Sequence, residues 1–376
     1  MKRRLGQFAA MGGFVVLGAL VGVIIARTSD RITPEGAPLP VDLAIFCGLV
    51  LAFLAITMAH VALHEAGHGV CGALSGYTFV SYRIAGLMWI RREDEHIHFS
   101  RFSLAGTGGQ CLMEPPGSLG DEYPVVLYNM GGSLANLLVA LISFALSRAL
   151  SDRPIPSSLL LISALVGVVF ALMNGVPLRT ALVSNDGMNT LELMRSPVAR
   201  RSLWVQMKAN ACLARGQRLR DLPIDWFTLP SADEMGSSLV ASLATLAANR
   251  LMDERRFEET ADLIRDILAH PGATPELHQR LLWCDLATCL LLLGRQDEAA
   301  ALMDDAHRRD LKPLNTQLAV LRTLYALALL ADDDAAAAGQ ERKDFDRIAQ
   351  SYPYPCEVAS ERELLELVDR QASPAM

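Results

Sequence analysis

Two histidines four residues apart with a glutamate between them, His64-Glu65-Ala66-Gly67-His68, are the residues of this chain best suited to chemistry. On a helix, positions i and i+4 share a face, so His64 and His68 can offer two imidazoles to one cation. Glu65, beside them, can polarise a metal-bound water and take its proton. A match of this length arises by chance in about one chain in a hundred, so its surroundings decide. Here the motif closes an apolar run, Leu43 to His64, that carries no Asp, Glu, Lys or Arg. An ionisable side chain inside a membrane helix costs about 2.5–3.5 kcal/mol or more. Three of them on one turn favour a ligand pair and a base over simple packing.

A tetrahedral catalytic zinc takes three protein ligands and keeps its fourth position for water. Asp186, in Ser184-Asn185-Asp186-Gly187, is the candidate third ligand; the plainer alternative is an Asp-Gly turn. Depth favours the ligand. Asp42 to His68 and Ser158 to Asp186 each measure about 40 Å of helix at ~1.5 Å per residue, so parallel spans bring both to one interface. Pro177 must interrupt the second of these helices. His60, one turn before His64, could support the site from behind. As a fourth ligand it would close the site against water, so ordinary packing is expected of it. His96 and His98 read as interfacial side chains, and Arg91-Arg92 beside Trp89 as a membrane-surface anchor.

The elements that must hold these residues begin with four uncharged runs: Phe8–Ala26, Leu43–His64, Tyr123–Ser147 and Pro154–Leu178. Each is near or above the ~20 residues needed to cross a hydrocarbon core of roughly 30 Å. Lys2, Arg3 and Arg4 ahead of the first run also suit a signal peptide. The run is long for one and Ile25-Ala26-Arg27 is a poor cleavage site, so a retained helix is expected. Lys and Arg concentrate before span one, between spans two and three, and after span four, which places both termini in the cytoplasm. Tyr77–Ile84, Leu87–Ile90 and His96–Phe99 are β-rich runs split by Ala85-Gly86 and Glu93-Asp94-Glu95, expected to form a small interfacial sheet or hairpin. Gly106 to Gly120, rich in Gly and Pro, reads as loop.

From about Leu203 the chain is Ala/Leu-rich with helical periodicity. Arg256–Ile264 aligns loosely with Arg295–Met303, which resembles tetratricopeptide-like helical hairpins over roughly residues 235–350; an irregular bundle is the alternative. The fold class expected is therefore mainly α: a polytopic membrane protein with about four transmembrane helices, the small β element, and a C-terminal soluble α-helical domain. The domains expected are residues 1–40 (first span and outer loop), 41–198 (core, with the β insert 77–102), 199–234 (linker) and 235–376 (helical domain). The seven cysteines show no paired framework and no C-x-x-C, so neither disulfides nor a cysteine zinc site is expected. A net charge of −7 without a basic stripe argues against nucleic acid as a partner.

With these residues in view, the chain resembles the site-2 protease family of intramembrane zinc metalloproteases over residues 41–190. That family carries H-E-x-x-H on one membrane helix and N-x-x-P followed by D-G on a later one. They stand here as His64–His68, then Asn174-Gly175-Val176-Pro177 followed by Asp186-Gly187. A third element, G-P-x-x-N, is matched by Gly132-Ser133-Leu134-Ala135-Asn136 with Ser in place of Pro. The resemblance implies that His64, His68 and Asp186 bind Zn2+ and that Glu65 activates water. It also implies that Asn136 and Asn174 face the active site, holding substrate backbone or the developing oxyanion. Interhelical hydrogen bonds are an equal alternative for both amides. The implied activity is endopeptidase cleavage of a membrane-bound protein or peptide in the lipid bilayer of a cell's inner or plasma membrane. An extended substrate could pair with the β element, and a cytoplasmic protein could dock on residues 235–350. The rival from another class is a non-catalytic membrane scaffold with a helical docking domain.

Overall fold

The longest helix among the described residues holds the apolar run that ends in the histidine motif. A computed structural model describes residues 2–35, 38–102, 108–178, 184–231, 234–270 and 274–372. Helix α1 (Lys2–Ile32) is followed by α2 (Leu39–Leu74), 36 residues long, with Pro40 in its first turn, where a missing N–H loses nothing. Four strands come next: β1 (Thr78–Ile84), β2 (Leu87–Arg91), β3 (Ile97–Arg101) and β4 (Gly109–Glu114). Helices α3 (Val126–Ala149) and α4 (Pro154–Gly175) follow, then the short α5 (Asp186–Arg195) and α6 (Pro197–Ala214).

Among the described residues three helices, α2, α3 and α4, are long and apolar enough to cross a membrane. On α2, Leu51, Leu54, Met58 and Val70 all point outward, an apolar surface that suits lipid rather than water. Helix α1 packs Leu17, Val21 and Ile25 against Leu49 of α2 and Ile162 and Val166 of α4. Helix α4 ends at Gly175, two residues before Pro177, whose ring disfavours helical backbone before it. Asp186 therefore does not continue α4, as the depth comparison assumed, but opens a helix of its own.

The strands form one sheet in the order β3-β2-β1-β4, with β1/β2 and β2/β3 antiparallel. Ala85 and Gly86, with φ of 48° and 81°, make the two-residue hairpin turn between β1 and β2, whose twist requires positive φ at both positions. Strand β4 corrects the expectation of loop over Gly106–Gly120. The apolar Cys111-Leu112-Met113 is buried in the sheet, and the glycines and prolines around it hid that run.

The chain divides into two compact units: Met1–Thr78, Gly108–Cys111 and Tyr123–Arg195 in the first, and Phe79–Thr107, Leu112–Glu122 and Ser196–Met376 in the second. Most of the β insert thus groups with the C-terminal helices and not with the apolar ones. Its inner face explains this, since Val80, Met88, Ile90 and Leu112 pack against Ala211 and Ala214 of α6.

In the second unit, α7 (Ser238–Asp253), α8 (Phe257–Ala269), α9 (Glu276–Leu292), α10 (Gln296–Leu302), α11 (Asp305–Leu311), α12 (Leu318–Leu330), α13 (Ala335–Ala349) and α14 (Pro355–Ala372) follow α6. Arg256 and Arg295, the paired positions of the loose repeat, each stand just before a helix and bind a glutamate three residues on. Beyond that the segments diverge, α8 running 13 residues and α10 only 7. At the centre, Arg322 of α12 is 1% exposed, and its guanidinium bonds Asp285 of α9 at 2.6 Å and Glu361 of α14 at 2.8 Å. All seven cysteines are free.

Candidate metal centre

Everything at this site belongs to the first unit. Helix α2 carries His64 and His68 one turn apart, buried and facing α3. They can lie there because the two helices meet backbone to backbone. A Cβ on Gly67 would sit 2.4 Å from the Gly131 carbonyl oxygen, and one on Gly131 would sit 2.5 Å from that of Gly67. A Cβ on Gly132 would strike the His64 ring at 2.5 Å. Gly67→Ala should therefore force the helices apart, lowering stability by about 1–3 kcal/mol and weakening metal uptake. Gly48→Ala, on the same helix with nothing within 4 Å of the added carbon, is the control. Thermal unfolding in detergent checks the pair, and equal behaviour of the two variants would refute the close crossing.

Asp186 is brought to the histidines by its neighbour. Asn185 is the N-cap of α5: its Oδ1 accepts the N–H of Met188 at 2.9 Å and of Leu178 at 3.0 Å. Its Nδ2 donates to the carbonyls of Met173 and Val176, both at 2.6 Å, which ties α5 to the end of α4. The sequence carries a signal for this in an Asn directly before Asp-Gly and a helical stretch. Gly187 completes the joint, since a Cβ there would lie 2.2 Å from the Gly175 carbonyl oxygen.

The result is a triangle. Asp186 Oδ2 lies 3.0 Å from His64 Nε2 and 3.4 Å from His68 Nε2, and the two Nε2 atoms are 3.2 Å apart. A tetrahedral zinc with bonds of about 2.0–2.1 Å separates its ligand atoms by about 3.3 Å. His68 Nδ1 donates to the Tyr128 carbonyl at 2.8 Å, which leaves its Nε2 as a bare lone pair aimed into the triangle. Asp186 Oδ2 is buried without a hydrogen-bond partner. An ionised oxygen and a ring lone pair converging at these distances fit a cation between them, and two nitrogens with one carboxylate are a zinc donor set.

Glu65 is half-buried beside the triangle, and its Oε2 accepts the Cys111 backbone N–H at 2.9 Å. Tyr128 donates its hydroxyl to the Cys111 carbonyl at 3.2 Å and stacks on Tyr77, which braces that strand end. Asn136 of α3 is fully buried; its Nδ2 lies 3.2 Å from His64 Nδ1 and its Oδ1 3.0 Å from His60 Nδ1. It thus stands behind the His64 ring, on the edge away from Asp186. Asn174 turns its Nδ2 onto the Phe170 carbonyl of its own helix at 3.0 Å. His60, expected only to pack, is 1% exposed and bonds both Asn136 and Ser163 Oγ, the latter at 3.1 Å. His98 pairs with Asp94 at the protein surface. No family model, curated protein or solved structure matches the chain.

Proposed function

We propose that this chain is a zinc-dependent endopeptidase that cleaves a membrane-bound protein or peptide within or at the edge of the bilayer. The observation that carries it is the triangle of His64 Nε2, His68 Nε2 and Asp186 Oδ2, at separations suited to a tetrahedral zinc, with Glu65 on the same turn of a membrane-length apolar helix. Zinc, when bound there, supplies Lewis acidity that polarises a carbonyl and makes a water more acidic. The chain's own residues do the rest. His68 is held in the ligating tautomer by the Tyr128 carbonyl. Glu65, anchored through one oxygen by the Cys111 N–H, keeps the other free to accept the proton of the attacking water and return it to the leaving amine. The lipid-facing residues of α2 suit a substrate that arrives laterally from the membrane.

The proposal extends to α1 as a fourth span, to both termini in the cytoplasm of a cell's inner or plasma membrane, and to the helical unit as a docking module. A groove lined by Arg265, Leu268, Trp283, Leu286, Glu298 and Leu302 supports the last of these. The test uses purified full-length protein in detergent or vesicles with a membrane-anchored peptide library. Cleavage that disappears with a chelator and returns with one equivalent of Zn2+ is expected. A chain that holds zinc yet cleaves nothing would favour the non-catalytic scaffold.

A further inference from the structure

The ligand His64 must present its Nε2 lone pair to a metal, and a neutral imidazole can do so only with its proton on Nδ1. That Nδ1–H then needs an acceptor, because it is buried away from water. Among the described residues its hydrogen-bond partner is the side-chain amide of Asn136, which is 0% exposed. The amide is placed with Nδ2 toward His64 and Oδ1 toward His60, an arrangement that suits a His64 protonated on Nε2. A His64 that ligates through Nε2 needs the carbonyl oxygen instead, so the amide must turn over. Turning it points an N–H pair at His60 Nδ1, which up to then was the donor.

We propose that His60 is a positioning residue for the metal ligand His64, acting through Asn136 by changing its own tautomer when the amide turns. An imidazole can offer either a donor or an acceptor at Nδ1, and each ring keeps one proton throughout. In the arrangement suited to a protonated Nε2 on His64, His60 Nδ1–H donates to Asn136 and its Nε2 accepts from Ser163. In the ligating arrangement Asn136 donates to His60 Nδ1, His60 Nε2–H donates to Ser163 Oγ, and Ser163 donates onward to Ser143 Oγ, 3.1 Å away. Gly167 of α4 presses so close that a Cβ there would reach His60 Cε1 and the backbone carbonyl oxygen of Asn136, each at 2.8 Å. This inference rests on the zinc reading of the site and adds a residue that touches neither metal nor substrate.

The experiment measures Zn2+ affinity of full-length protein in detergent by competition with a chromophoric chelator. His60→Phe keeps a ring of similar size against Phe170 but offers no nitrogen. It should weaken Zn2+ binding about ten- to hundredfold, the range for groups that orient metal ligands. His60→Asn, whose amide can also present either end, should recover most of that loss. The double variant His60→Phe/Asn136→Ala should bind no more weakly than Asn136→Ala alone, since His60 acts only through that amide. A merely structural role predicts none of this pattern: additive losses, or His60→Phe within about threefold of wild type on that same scale, would overturn the proposal. If His60→Phe does not fold, Ser163→Ala takes its place, with a threefold to tenfold loss expected and no change overturning it. A wild-type chain that binds no Zn2+ would bring down the metal reading itself, and this inference with it; wild-type binding without the variant pattern would bring down the inference alone.

Discussion

Glu65→Gln should leave Zn2+ uptake near the wild-type level and reduce peptide cleavage at least about a hundredfold, the lower range for loss of a general base. The substitution is a clean one here because of the Cys111 N–H. Glutamine keeps a carbonyl oxygen that can accept this bond, 2.9 Å long in the wild type, so the side chain need not move. What it loses is the ability to take a proton at neutral pH. The triangle of ligand atoms is untouched, and bound metal serves as the internal control for folding. Turnover at the wild-type rate in this variant would assign the base to another group or remove the peptidase reading altogether.

Asp186→Ala should have the larger effect on the metal, lowering Zn2+ affinity by at least about a hundredfold, more than the ten- to hundredfold typical of groups behind the ligands. It removes one corner of the triangle and the negative charge that balances the cation. Asn185, which caps α5 and fastens it to α4, is left in place, so the joint should persist. Competition titration and metal analysis of the purified protein check this. Full affinity in Asp186→Ala would mean that the aspartate is only the turn residue its Asp-Gly setting first suggested.

The parts of this architecture that follow from local chemistry were legible in the sequence, and the parts that follow from packing were not. Helix α2 and the three β-rich runs could be read because long apolar stretches and alternating runs each imply one local structure. The His64/His68 pair needed only helical periodicity. Asp186 could be nominated from depth, though on the assumption of a continuous helix that Pro177 breaks. What brings it to the histidines is the side chain of Asn185, which works across a chain reversal and leaves no periodic trace. Strand β4 was hidden because its three apolar residues are too few to stand out among glycines and prolines. The two asparagines implied by the resemblance stand in different surroundings, Asn136 behind a ligand ring and Asn174 folded onto its own helix. Nothing in either residue's type or spacing separates those two fates. The role of His60 was missed for a related reason: the coordination count argued against a fourth ligand and said nothing of a partner on α3.

The ion cluster around Arg322 sets an order of events during synthesis. Arg322 is buried from three directions, by Asp285 of α9, by its own helix and by Glu361 of α14, which the ribosome adds 39 residues later. Until that glutamate emerges, Arg322 has Asp285 as its one carboxylate partner, and the guanidinium edge that Glu361 satisfies in the finished unit has none. Burying it in that state would leave guanidinium N–H groups without an acceptor, at a cost of about 1–3 kcal/mol for an unsatisfied buried group. The growing chain therefore has reason to stay open, with the apolar faces of α9 and α12 exposed, and to close in a single late step when α14 arrives.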